Sequence, residues 1–457
     1  MRALGVALAV LALAAPAAQA RGSQFTIFEA SRELKSPDAA LRARTFDEIQ
    51  RFGVRWIRVV LYWRDVAPQP DGNGAPRFDE ADPAAYDWST YERIVAEARA
   101  QGVRVLITPS GPAPDWATLI NNGVDYPSPT RFERFMTAVG RQFGTRITHW
   151  SIWNEPNHPQ FLGPQYRRHK PYSPRLYRRL FWAAHRALAR TGNGRDRVLM
   201  GETAPRGNSH VVHPLRFLRG ALCLNRRYRK ARGCKRLPAD GYAHHPYTTR
   251  SGPFFVSRRR DDVTIGSLGR LTRALDRAGR ARAVRRRLPV YLTEFGIQST
   301  PDPHYGVSQT RQAEYRSIGE KIAWANPRVR AISQYLMRDD PVGTGKDRYG
   351  GFESGLRFAG GRKKLAYRGF RLPMVARRTG RRVRLWGYVR PHTGRDRVEI
   401  QYRGRRARWR HLKNDRTNRA GYWISTTRYH SGRSYRVRWR SGGGTAYGSR
   451  TRVIQRR

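Results

Sequence analysis

Cysteine is nearly absent from this chain, and acidic residues are few beside basic ones. Asp and Glu number 34 against 89 Lys and Arg in 457 residues, a formal net charge of +55. A charge of that size attracts any polyanion at low salt. The leader described below directs the chain out of the cytoplasm, away from nucleic acid as a specific partner. Two readings of the charge remain: an arginine-favouring composition spread over solvated faces, or attraction to an acidic cell-envelope polymer. Cysteine occurs only at Cys223 and Cys234. With no CxxC and no second pair, no cysteine-based metal centre is expected. In an exported chain the two pair as one local disulfide, whose small loop stabilises by roughly 2–3 kcal/mol and pins a surface segment.

Long apolar runs are also scarce. Only Ala3 to Ala15 is continuously apolar; Arg2 precedes it, Pro16 interrupts it and Ala18-Gln19-Ala20 follows. A positive start, a short apolar stretch and a small-residue cleavage pattern read as a signal peptide over residues 1–20. A membrane span needs about 20 apolar residues, and nothing later meets that, so the mature chain is expected to be secreted without one. No glycine-rich phosphate loop follows the first apolar segment, which argues against a nucleotide site. No motif calls for a cofactor or a metal.

What is present is a regular alternation. Strand-like runs at Phe25–Phe28, Trp56–Leu61, Val103–Thr108, His149–Trp153, Val198–Gly201, Gly241–His244, Pro289–Thr293 and Val329–Leu336 are separated by segments of helical period, among them Pro37–Phe52, Trp88–Gln101, Pro129–Phe143, Ser173–Arg190, Thr264–Ala283 and Gln309–Ala325. Ser173 is read as the N-cap of its helix, with Pro174 at the first position. Eight such units over about 350 residues predict an α/β fold, a (β/α)8 TIM barrel over residues 21–371. A doubly wound open sheet is the alternative. Beyond residue 372 the pattern changes to short alternating strands with Gly, Asn and Arg turns, predicting a small β-sandwich-like accessory domain over 372–457. Residues 373–457 hold 25 Lys and Arg against 3 Asp and Glu, which makes this domain the expected contact for an acidic polymer.

In such a barrel, polar residues just past the strand ends gather on one face. Arg58, Glu155, Glu202, His245, Glu294 and Tyr335 meet that description. Glu155 follows Asn154 at the end of the fourth run, and Glu294 ends the seventh. Glycosidic bonds break through an oxocarbenium-like transition state that needs one carboxyl to protonate the leaving oxygen and another to attack or to activate water. Asn154 is suited to a sugar hydroxyl. Arg58 is expected to lower the pKa of Glu294, and apolar walls with the like charge opposite to raise that of Glu155. Glu202 reads as a structural acid, Asp339-Asp340 as a solvated turn. Trp63 and Trp116 read either as sugar platforms or as core.

Trp153-Asn154-Glu155-Pro156-Asn157 together with Thr293-Glu294-Phe295-Gly296 resembles the paired signature of the retaining glycoside hydrolases of clan A, and is most similar to families 39 and 5, the cellulase-like enzymes and their relatives. The resemblance covers roughly residues 25–370. It implies Glu155 as acid/base and Glu294 as nucleophile. Arg58 matches the family's arginine at the end of strand two, and His245 with Tyr247 its His-x-Tyr after strand six. The clan's tryptophan after strand eight has no match in Gln334-Tyr335-Leu336-Met337-Arg338, where Tyr335 is the nearest stand-in. The function so implied is secreted, retaining hydrolysis of a β-linked poly- or oligosaccharide. The rival reading is a non-catalytic polysaccharide-binding protein on the same barrel, separable by release of reducing ends.

Overall fold

The computed structural model describes residues 24–345 and 348–455; the signal peptide expected over residues 1–20 lies outside them. Eight strands, β1 (Phe25–Glu29), β2 (Trp56–Tyr62), β3 (Arg104–Ser110), β4 (His149–Ser151), β5 (Arg197–Thr203), β6 (Gly241–His244), β7 (Val290–Leu292) and β8 (Val329–Tyr335), form a closed barrel in chain order. Every pairing is parallel, and β8 closes on β1 with Phe25 opposite Ala331. The open-sheet alternative is excluded by that closure.

Strand side chains alternate between two faces with a period of two. Ile27, Trp56, Leu106, Leu199, Ala243, Tyr291 and Ala331 meet in one small cluster drawn from seven strands, which places them inside the barrel. Two residues further along the same faces come Glu29, Arg58, Thr108 and His245. The barrel is thus apolar in its lower half and charged in its upper half. Strand residues between these, such as Phe28, Ile57 and Ile107, join the larger core under the helices.

Asp38, Ser128 and Ser308 cap three of the helices through side-chain oxygens, which satisfies otherwise orphaned N–H groups. Ser173 does not cap its helix. It is the first residue of the helix Ser173–Arg190, and its hydroxyl donates to Gln165 Oε1 at 3.0 Å. Of the turn Asp339-Asp340, expected to be solvated, Asp339 is 2% exposed and accepts from Lys364 Nζ at 2.5 Å, whereas Asp340 is half-buried. Burial raises the Asp339 carboxyl to about 6 against the pull of Lys364. The expected disulfide Cys223–Cys234 is present, on the segment after the helix Pro214–Ala221.

The last barrel helix ends at Arg371 and the second sheet begins at Met374. Eight strands curl around a core of Val383, Leu385, Val398, Ile400, Trp423, Tyr435, Val437 and Trp439. One face of this sheet lies on the barrel helix Gln309–Ala325, where Val375, Trp386 and Tyr422 pack on Ile318 and Trp324. Beneath that contact Glu320 is 1% exposed and bonds both Arg316, at 2.7 Å, and Arg390 of the second domain.

Candidate active site

Arg58 organises the mouth of the barrel. Its guanidinium is fully buried, and all five of its N–H groups are used: Nε and Nη2 on Glu202 at 3.1 and 2.6 Å, Nη1 on Glu29 at 2.6 Å and Glu294 at 2.8 Å, and Nη2 also on Asn154 Oδ1 at 2.7 Å. Such a planar fork is what arginine offers and lysine lacks. Glu202, expected only to support a loop start, is a full partner in this network and is 0% exposed. Glu29 was not singled out from the sequence. As the inward-facing last residue of β1 it obeys the same strand-end rule as Glu294, so asking what ends each strand would have found it.

Glu155 stands on strained backbone. Trp153 and Glu155 have φ of +70° and +36°, and Glu202 has +49°, conformations that cost on the order of 1–3 kcal/mol each for residues other than glycine. They end β4 at Ser151, two residues earlier than the apolar run suggested. The strain is held by specific bonds. Trp153 N–H donates to Pro109 O at 3.0 Å, Asn154 N–H to Ser110 Oγ at 3.0 Å and Glu155 N–H to Glu202 O at 3.1 Å. Asn157 ties the same turn to the loop after β5, donating to Val212 O at 2.8 Å and accepting from Ala204 N–H at 2.8 Å.

The two glutamates meet across His245. Its Nδ1 is 2.9 Å from Glu155 Oε1 and 3.5 Å from Glu294 Oε2, and one oxygen of each carboxyl lies within 4.8 Å of the other. Tyr247 donates its hydroxyl to Glu294 Oε2 at 2.9 Å. Tyr335 packs its ring edge-on to Tyr247 at 6.0 Å, with Phe352 beside both. Arg58, Asn154, Glu155, His245, Tyr247, Glu294 and Tyr335 are therefore brought together. Trp63 is not among them: it is 0% exposed and stacks on Phe135 at 4.9 Å. Trp116 is buried too, its indole N–H on Pro68 O at 3.1 Å. Both rings are core and present no face to a ligand, because the loops after β2 and β3 fold back onto the helix Pro129–Phe143.

Burial dominates the electrostatics. It pushes the Glu155 carboxyl up to about 7, against the pull of His158 and Arg58. Glu294 also rises to about 7, again by burial first, with His245 and Arg58 pulling down and Glu29 and Glu155 pushing up. The expectation that Arg58 holds Glu294 below the ordinary carboxylate range is thus corrected. One guanidinium is divided among three carboxylates, and its share at Glu294 does not outweigh desolvation. Burial also lowers the His245 imidazole, against the pull of Glu294. Glu155, His245 and Glu294 are the one group among the described residues whose ligand atoms could converge on a cation. Arg58 and Tyr247 already supply donors to Glu294 there.

Glu155, with 16% of its side chain exposed, opens onto a cleft of about 720 Å³ shared with His158, Arg206, Arg258 and Tyr305. Tyr305 is 64% exposed, an aromatic face at the cleft that strand patterning does not reveal, because it lies in the loop after β7.

No family model matches the chain, and no curated protein matches it. Solved structures do. The β-xylosidase of Caulobacter crescentus CB15, a monomeric enzyme, is 16% identical with a TM-score of 0.52, over 91% of this chain and 95% of that one. The glucosidase of Croceicoccus marinus is 12% identical with a TM-score of 0.51, over 86% and 90%. At these identities the likeness is one of fold: a parallel eight-stranded barrel followed by a β-sheet domain is an architecture this chain has in common with glycosidases.

Proposed function

We propose that the chain is a secreted retaining glycosidase acting on β-linked poly- or oligosaccharides, with Glu294 as nucleophile and Glu155 as acid/base. The observation that carries this reading is the approach of the two carboxyls, one oxygen of each within 4.8 Å of the other. Retaining enzymes bring their carboxyls to about 5–5.5 Å, whereas inverting enzymes leave about 6.5–9.5 Å for a water.

The hydrogen bonds support this division of roles. Glu294 receives a cationic donor from Arg58 and a hydroxyl from Tyr247, which favour its ionised form over that of its neighbour. Among the described residues Glu155 has as its side-chain partner only the imidazole of His245, and it keeps the proton. In the first step Glu155 gives that proton to the leaving oxygen while a Glu294 oxygen attacks the anomeric carbon. In the second, Glu155, now ionised, takes a proton from water as the water displaces Glu294. Asn154 has its Oδ1 on Arg58 and its backbone N–H on Ser110, which leaves its side-chain amide N–H groups for a sugar hydroxyl. The disulfide supports an oxidising, extracellular setting.

A 2-fluoro-glycoside inactivator followed by peptide mapping tests the assignment: the adduct is expected on Glu294, and an adduct on any other residue refutes it. Product configuration by NMR is expected to show the substrate's anomer retained.

A further inference from the structure

The cleft beside Glu155 does not end at the barrel mouth. Arg259 lines it and also lines a second, adjoining groove of about 1430 Å³ that runs between the helices Ser173–Arg190, Pro214–Ala221 and Leu268–Arg280 and under the disulfide loop. Among the described residues nine arginines line this second groove against one aspartate, Asp261. That aspartate is already committed, both its oxygens taken by Arg219 at 2.8 and 2.7 Å.

The turn between the two spaces is built to hold charge in position. Arg258, Arg259 and Arg260 are consecutive and exposed. Asp262 at its base accepts from Ser257 Oγ at 2.6 Å and Gly207 N–H at 3.1 Å and meets His213 Nδ1 at 2.6 Å, so its charge is spent inside the turn. Arg270 clamps the turn from below, donating to the carbonyls of Ser257, Arg259 and Asp262 at 3.0, 3.0 and 3.3 Å. Arg259 Nη1 is fixed on Gly207 O at 2.8 Å. Arg206, Arg258 and Arg260 meet no carboxylate among the described residues. Like charges gathered on a rigid turn repel one another and raise the free energy of the empty protein; an anionic ligand relieves that repulsion.

Geometry also says which part of a ligand would meet them. Glu155 lines the cleft and Glu294 does not. The group that protonates the leaving oxygen faces the departing portion of the substrate, so the arginines lie on the leaving-group side. Tyr305 supplies an exposed ring on the same side.

We propose that the substrate is an anionic polysaccharide, bearing carboxylate or sulfate groups, whose leaving-group portion runs from Glu155 past Arg206 and Arg258 into the arginine groove. This rests on the glycosidase reading and adds the substrate class to it.

The test uses the full chain carrying Glu155→Gln, which leaves ligand uncut. Three forms of one β-linked backbone are the probes: chondroitin sulfate, chondroitin, and carboxyl-reduced chondroitin, which has neither anion. Affinities are measured at 0.15 and 0.5 M salt. Binding of the two anionic forms is expected to weaken at least tenfold in R206A/R258A/R260A. It is expected to change less than twofold in R405A/R408A/R410A, which removes equal charge from the C-terminal sheet. Binding of the neutral form is expected to be insensitive to both. The ratio of sulfated to unsulfated affinity assigns the anion. Equal losses in the two triple variants, or equal binding of the neutral form, overturn the proposal. The glycosidase reading fails separately, by the absence of a Glu294 adduct.

Discussion

Glu155, half-buried, and Glu294, buried, are two carboxyls within reach of one another, both raised to about 7. Their titrations belong to the pair, and activity requires one proton shared between them. The rate profile is therefore expected to be bell-shaped, falling on the alkaline side above about pH 7 as Glu155 loses its proton, and on the acid side as Glu294 gains one. With an activated aryl glycoside, whose leaving group needs no proton, Glu155→Gln is expected to lose the alkaline limb. With an unactivated substrate the same variant loses about 10²- to 10⁴-fold in kcat. Glu294→Gln is expected to abolish turnover of both. A profile in which Glu155→Gln keeps the alkaline limb would assign that limb elsewhere.

The same shifts make a prediction that needs no substrate. A carboxyl raised from 4.5 to about 7 in the folded state binds its proton more tightly there than when unfolded. Between those values stability falls as pH rises. Glu155→Gln cannot ionise, so its melting temperature is expected to exceed wild type at pH 8 and to differ little at pH 5. Equal shifts at both pH values would mean that the change acts through packing instead.

At the scale of elements, one guanidinium joins four strand ends. Arg58 on β2 reaches Glu29 on β1, Glu202 on β5, Glu294 after β7 and Asn154 after β4. Removing it leaves three carboxylates buried without their cation. Breaking a buried pair costs about 3–5 kcal/mol, so Arg58→Ala is expected to lower the unfolding free energy by at least that much. Arg58→Lys is expected to recover only part of it, since an ammonium has three donors where five are used. Urea melts of the two variants check this. The element-level pattern was legible in the sequence because strand period and helical period differ. What period did not reveal was where β4 stops. That depends on positive φ values at Trp153 and Glu155, held by bonds to β3 and to Glu202 on β5, which are distant in the chain.

For the whole molecule, the junction between barrel and sheet rests on Glu320 between Arg316 and Arg390, under a layer of aromatic rings. Burial raises the Glu320 carboxyl, but the two arginines outweigh it and the net shift is downward. A depressed folded value contributes stability that is complete above the ordinary value of 4.5 and is lost as pH falls below it. Glu320→Gln is expected to destabilise the protein at pH 7 and to differ less from wild type near pH 3; denaturation midpoints at the two pH values check it. The aromatics Trp386 and Tyr422 stand in this junction, which explains their place in the strands.

Sequence alone determined the alternation of strands and helices, the two strand-end glutamates and the change of texture near residue 372, because each is written in local period or in a short motif. It also pointed to Arg58 and His245 as residues of the mouth. Only tertiary structure decided that Glu29 and Glu202 share Arg58, that Trp63 and Trp116 are core, and that Asp339 is buried on Lys364. It alone also brought Arg206 and Arg258 beside Glu155. The reason is physical: a charge or a ring has its role set by what surrounds it, and here the surroundings come from residues tens to hundreds of positions away.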